Sequence, residues 1–287
     1  MRYHAAWVLP IASAPLRDGW VAVDGGRIVA MRIDPKTNQN DIWTYEVSTG
    51  KGHPITNDND PQNAPIWSPD GKQVAYVSAT QRGIPSIYRK AWDGSGNAEQ
   101  VFTYTPGAGM VLTDWSPDGK FMAFWTQILV LVPLEGSQNA AERKGIEWLR
   151  DEYNVLHGRF SPDMRYISYI TDQDENGKLQ LYVRPFDAAK PESPPPGDIV
   201  QVSADAAGMI GWRGDGSEMY FLQPDPRNAD VHVMAVDVTT TPTFQVGTPR
   251  LLFTLPGPLP GNSLQWKSAS SDGQRFAFAV NVPAPAR

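Results

Sequence analysis

Short apolar runs separated by polar turns recur along the chain and predict β-hairpins. The clearest example, Trp67 to Tyr76, reads Trp-Ser-Pro-Asp-Gly-Lys-Gln-Val-Ala-Tyr, and Trp115 to Phe124 nearly copies it. Proline presets φ at the first turn position, the Asp side chain bonds nearby backbone, and glycine accepts positive φ. Each copy of this motif therefore predicts a strand, a tight turn and a second strand.

The motif occurs six times, and its spacing indicates a repeat protein. Successive motif aspartates lie 46, 48, 45, 52 and 57 residues apart, which matches one four-stranded blade of a β-propeller. These aspartates are Asp24, Asp70, Asp118, Asp163, Asp215 and Asp272. The sequence thus predicts an all-β, six-bladed β-propeller that forms a single domain over residues 1–287. Its blades are expected to start near residues 18, 64, 111, 156, 208 and 263.

The last blade needs strands from elsewhere, since only 15 residues follow Asp272. The apolar stretch Ala6 to Ile11 precedes the first motif, so a closing strand within residues 1–17 is predicted to complete that blade and hide its sheet edges. Arg2, the apolar stretch and Ala12-Ser13-Ala14 also imitate a signal peptide. A secretory signal usually needs about 15 to 30 residues, so the strand is the preferred interpretation.

Large aromatic residues repeat three positions before the motif aspartate, where packing between blades explains them. They are Trp67, Trp115, Phe160 and Trp212.

Composition excludes several classes of partner. The net charge is −6 with both signs interspersed, so nucleic acid is not an expected partner. The chain has no cysteine, which excludes disulfides and thiolate metal sites but leaves the compartment open. No apolar run approaches the roughly 18 to 20 residues of a transmembrane segment, and a monomer is expected.

The two Trp-Ser-Pro-Asp-Gly-Lys copies and Phe160-Ser161-Pro162-Asp163 resemble the repeat of TolB-like, WD-repeat-like propellers over nearly the whole chain after Trp20. The second half is also similar to the C-terminal sensor propellers of bacterial serine/threonine kinases. Its matching segments are Leu181–Phe186, Phe244–Arg250 and Ser271–Phe276. The resemblance implies a periplasmic or otherwise extracytoplasmic interaction module of the bacterial cell envelope, with a cytoplasmic location as the alternative. The chain has no Gly-rich phosphate loop, His-Arg-Asp or Asp-Phe-Gly, so kinase activity is not implied.

No catalytic set emerges from the sequence. Asp172 to Gly177 begins like a calcium loop, but the position of the closing acid is Val183. No Gly-x-Ser-x-Gly elbow occurs. The expected function is therefore non-catalytic binding of a protein or peptide, with no metal and no cofactor. The alternative is an enzyme, either a channel-metal hydrolase of the lactonase type or the gating propeller of a peptidase whose catalytic domain is absent.

Three polar residues before the motif aspartates are the candidate binding residues. Asp114 and Arg159 occupy the same place in successive repeats, four positions before the aspartate, and His157 lies close by. An inter-blade ion pair is the ordinary interpretation of the first two, and recognition of a partner at the channel mouth is the functional one. Functional residues of repeat proteins concentrate in loops. The candidate contact loops are Asn57–Asn63, Thr103–Met110 and Ala204–Ala207.

Overall fold

The computed structural model describes residues 21–278, and every regular element in that range is a β-strand. Shorter stretches within it lie outside the described residues: 25, 35–36, 38, 80–82, 105–108, 137–138, 151–152, 173–177, 194, 204, 206–207 and 258–266. Among the described residues no helix is long and apolar enough to cross a membrane. The all-β prediction is confirmed.

The strands form successive antiparallel sheets in chain order. The first two blades contain β1 (Val21–Asp24), β2 (Arg27–Ile33), β3 (Asn40–Glu46), β4 (Gly52–Pro54), β5 (Gln62–Trp67), β6 (Gln73–Ala79), β7 (Pro85–Ala91) and β8 (Glu99–Thr103). The third and fourth contain β9 (Val111–Trp115), β10 (Phe121–Trp125), β11 (Leu129–Pro133), β12 (Ile146–Leu149), β13 (Val155–Phe160), β14 (Tyr166–Thr171), β15 (Gln180–Pro185) and β16 (Val200–Ser203).

The fifth blade has β17 (Gly208–Trp212), β18 (Glu218–Pro224) and β19 (Val231–Thr239), with β20 (Gln245–Val246) and β21 (Arg250–Leu255) both paired to β19. The sixth repeat contributes β22 (Lys267–Ala269) and β23 (Phe276–Phe278). The described chain therefore has five complete blades rather than the six predicted, because the sixth repeat lacks third and fourth strands among the described residues. The predicted closing strand in residues 1–17 lies outside them.

The first strands of the repeats surround a common axis. β1, β5, β9, β13, β17 and β22 contact one another in a closed cycle. A bulge interrupts the register of the first strand against the second in the second to fifth blades. Beyond the bulge the register is the same in each blade. Its pairs are Trp67 with Val74, Trp115 with Met122, Phe160 with Ile167, and Trp212 with Met219.

The hydrophobic core lies between neighbouring blades. Trp115, Phe160 and Trp212 are 8%, 3% and 9% exposed, and each belongs to an apolar cluster that joins two blades. Trp67 packs against the cluster between the first two blades while partly exposed. The prediction that these repeated aromatic residues form the core is confirmed for the three buried ones.

The antiparallel order divides the loops between two faces. One face, the motif face, carries the motif turns and the turns between third and fourth strands. The other, the connection face, carries the turns between second and third strands and the connections from one blade to the next. The candidate contact loop Asn57–Asn63 belongs to the connection face, since it joins β4 to β5.

Candidate functional site

The motif aspartates of the second to sixth repeats are held by their own turns. The hydroxyls of Ser68, Ser116 and Ser161 each donate a hydrogen bond of 2.6 Å to the aspartate two residues later. In the fifth repeat the donor follows the aspartate, as Ser217 Oγ lies 2.6 Å from Asp215 Oδ1. The residue after the aspartate has positive φ in these turns, for example 76° at Gly119 and 59° at Met164.

These hydrogen bonds change the acidity of the carboxylates. Donation from the neighbouring serine hydroxyl is the main cause that lowers the pKa of Asp70, Asp215 and Asp272. The lowered pKa favours the ionised form of these three carboxylates, and the hydrogen bonds commit them to the turn, as the turn chemistry of the motif predicts. Within the described part of the chain, no group of three or more His, Cys, Asp or Glu side chains is placed to hold a metal ion.

Asp114 links the third blade to the fourth. Its Oδ2 accepts a hydrogen bond of 2.8 Å from the backbone N–H of Phe160, and its Oδ1 lies 3.8 Å from Arg159 Nη1. The N–H of Ser161 bonds Tyr166 within the sheet, so the N–H of Phe160 faces away from β14 by the alternation of an antiparallel ladder. Asp114 therefore satisfies a backbone donor on the inner edge of the next blade.

Thr113 makes a second link beside the first. Its hydroxyl lies 2.9 Å from the carbonyl oxygen of Gly158 on β13 and 3.1 Å from that of Ala123 on its own sheet. A strand threonine carries no sequence signal for such a contact, because threonine favours strands in general. The bulge in β13 supplies the carbonyl, and a bulge is not readable from residue types alone.

The Asp114 carboxylate is held in a poorly solvated place. Its side chain is 18% exposed and that of Arg159 is 27% exposed. Burial raises the pKa of Asp114 to about 6, against the opposing effects of the Arg159 charge and the Phe160 N–H. The predicted inter-blade contact is thus present, and it joins two partly accessible groups of opposite charge on strands that line the axis.

His157, two residues before Arg159, is buried against Trp125 of the third blade. It is 7% exposed, and its ring centroid is 6.1 Å from that of Trp125. Its φ is +55°, and Ala64 in the second blade has φ of +51° at the corresponding bulge. The bulge rather than the imidazole therefore requires this backbone, and the role of His157 in binding stays a prediction.

The loop Asn57–Asn63 is the best described of the candidate contact loops. Gln62 is fully buried beneath it, where its amide nitrogen bonds the Asp58 carboxylate and the Asp60 carbonyl. Thr56 Oγ1 donates to Gln62 Oε1 at 2.9 Å. The loop is thus anchored from below while Asn57, Asp58 and Asn59 are exposed. The other two candidate loops lie partly outside the described residues.

Comparison with known proteins shows which proteins the chain is similar to. No protein-family model matches the chain. It is 30% identical over 167 residues to the uncharacterized peptidase YuxL of Bacillus subtilis, covering 56% of this chain and 22% of that protein. It is 35% identical over 91 residues to the Tol-Pal system protein TolB of Alcanivorax borkumensis, covering 30% of this chain and 20% of that protein. The chain thus spans about a fifth of the length of these curated relatives.

Solved structures resemble the chain over more of its length. A putative TolB from Agrobacterium tumefaciens superposes with a TM-score of 0.66 at 17% identity, covering 93% of this chain and 90% of that one. A putative 6-phosphogluconolactonase from Bacteroides uniformis gives 0.53 at 13% identity, covering 91% and 77%. At these identities the likeness shows the fold, which is that of a TolB-like β-propeller.

Proposed function

We propose that this chain is a non-catalytic β-propeller of the bacterial cell envelope that binds a protein or peptide through its connection face and the axis-lining strands beneath it. The observation that carries the proposal is the commitment of the motif carboxylates to their own turns. The repeated aspartates thereby stabilise turns. We therefore assign recognition of the partner to the irregular loops and to the partly exposed pair Asp114 and Arg159.

Likeness to TolB supports this proposal and the extracytoplasmic location, because that structural match extends over nearly all of both chains. The same proposal includes three further points: similarity to kinase sensor propellers, a monomeric state, and completion of a sixth blade by residues 1–17. The second candidate is the gating propeller of a peptidase, which the 30% identity to a much longer peptidase favours. A lactonase-like activity is the remaining alternative, on the fold likeness to a putative lactonase.

Affinity capture from envelope extract tests the binding function with a matched pair of variants. Asn59→Arg alters an exposed residue of the loop Asn57–Asn63, and Asn97→Arg makes the same change at an exposed residue of the motif face. We expect wild type and Asn97→Arg to recover one specific protein that Asn59→Arg recovers poorly. Equal recovery by both variants would place the interface elsewhere. Absence of any specific protein, together with turnover of a lactone or peptide panel, would overturn the proposal.

A further inference from the structure

Arg159 is the one arginine on the described innermost strands, and its guanidinium is incompletely used. Its closest acidic atom, Asp114 Oδ1, is 3.8 Å away, which is an ion pair but too long for a hydrogen bond. Arg89 on β7 shows the satisfied arrangement, with Nε and Nη2 at 2.9 and 2.8 Å from Glu99. A guanidinium has five N–H donors in a fixed fork, so Arg159 retains donors without an acceptor among the described residues.

The fifth blade has open space at the position that corresponds to Arg159. In the fourth blade Arg159 pairs with Ser168 on the second strand. The residue at the same register position of the fifth blade is Gly211, which pairs with Tyr220. A Cβ built at Gly211 would meet no atom within 4 Å. The next innermost strand therefore places no side chain at the position that corresponds to Arg159, and the Arg159 side chain is itself 27% exposed.

We propose that Arg159 binds a carboxylate of the incoming polypeptide, donating N–H hydrogen bonds from its guanidinium fork to the two carboxylate oxygens. This rests on the proposed binding function, and it names the chemistry of the partner at that site. Arginine is suited to the task because its planar fork matches the two oxygens of a carboxylate. The long contact to Asp114 is readily exchanged, since Asp114 also has the Phe160 N–H as a partner.

Asp114 makes this binding dependent on pH. A ligand carboxylate on Arg159 lies near a second carboxylate, and two like charges disfavour each other's ionised forms. Ligand binding therefore favours protonation of Asp114, whose pKa burial already raises. Arg159 is the charged group facing it from β13, and His157 is the other ionisable residue of this strand. The other strands packed against β9, which are β5, β6 and β10, carry no Asp, Glu, His, Lys or Arg. Binding is expected to strengthen by about threefold or more between about pH 7.5 and pH 5.5.

Arginine side-chain NMR provides the test with defined probes. The Nε–Hε signal that is missing in Arg159→Gln identifies Arg159, and Arg89→Gln serves as the control that leaves it in place. The titrants are N-acetylglycylglycine, which has a terminal carboxylate, N-acetylaspartylglycinamide, which has a side-chain carboxylate, and N-acetylglycylglycinamide, which has none. We expect the Arg159 signal to shift with either carboxylate and not with the third compound. The stronger of the two responses identifies the source, and Asp114→Asn is expected to abolish the pH dependence.

Two outcomes overturn the inference. One is the absence of any shift of the Arg159 signal, and the other is an equal shift with the uncharged compound. Arg159→Lys keeps the charge without the fork and is expected to bind more weakly than wild type while unfolding at the same urea midpoint. In the capture experiment, recovery of the partner by Arg159→Gln at the wild-type level would exclude Arg159 as its anchor and leave the binding function standing. A shift of the Arg159 signal with a carboxylate, but no captured partner, would support carboxylate binding by Arg159 and count against the proposed protein-binding function.

Discussion

Replacement of Asp114 by asparagine is expected to stabilise the protein at neutral pH. The amide oxygen of asparagine can still accept the hydrogen bond that Phe160 N–H donates to Asp114 at 2.8 Å. The substitution removes a charge that is 18% exposed and only loosely paired with Arg159 at 3.8 Å. Because Arg159 is itself 27% exposed, water can solvate its charge in the variant.

The pKa gives the size and the sign of the effect. Burial raises the pKa of Asp114 from 3.8 to about 6, so the folded state holds the proton more tightly than the unfolded chain. The contribution of Asp114 to the free energy of unfolding therefore falls as pH rises from 3.8 to about 6, and is constant above. At roughly 1.4 kcal/mol per pKa unit, the full effect is on the order of 3 kcal/mol.

Urea unfolding followed by tryptophan fluorescence measures this effect at several pH values. We expect Asp114→Asn to exceed wild type in unfolding free energy at about pH 7.5, with the difference constant down to about pH 6 and then shrinking toward about pH 4. A difference that does not change with pH would refute the reasoning, as would a variant less stable than wild type at neutral pH.

Asp70→Asn is the matched control, because its dependence has the opposite sign. The Ser68 hydroxyl, and then the Lys72 backbone N–H, lower the pKa of Asp70. Its stabilisation is present above the pKa of the unfolded state and is lost as pH falls through the lower pKa of the folded state. Asp70→Asn is therefore expected to destabilise the protein at neutral pH, with the difference from wild type vanishing in acid.

The remaining predictions concern the repeat. Trp115→Ala is expected to lower the free energy of unfolding by about 3–5 kcal/mol, because the indole is 8% exposed; an unchanged urea midpoint would contradict it. Gly119→Ala is expected to cost about 1–2 kcal/mol, since φ is +76° while the nearest atom, Pro69 Cγ, is 3.9 Å from the added Cβ; calorimetry checks this loss. Deletion of residues 1–17 is expected to lower Tm, and an unaltered Tm would argue against the closing strand.

The repeat could be predicted from the sequence because its signals are local. The turn chemistry of Ser-Pro-Asp-Gly acts within a few residues, and its regular spacing reveals the repeat. In the structure Ser68 Oγ donates a hydrogen bond to Asp70, as that chemistry requires. The sixth blade, which the described residues do not complete, was hard to predict for the opposite reason. Completing the sixth repeat depends on strands remote in sequence, and periodicity carries no information about which distant segment pairs with β23.

The candidate site shows where prediction from one sequence reaches its limit. Repeat alignment placed Asp114 and Arg159 at one position of successive blades and so predicted their contact, which the structure contains at 3.8 Å. It did not predict that the shorter contact of Asp114 is to a backbone N–H, because that donor becomes free only through the ladder alternation at the inner edge of β13. The Asp114 carboxylate thus accepts its shortest hydrogen bond from the backbone. Because its contact with Arg159 is longer, the guanidinium keeps donors for a ligand.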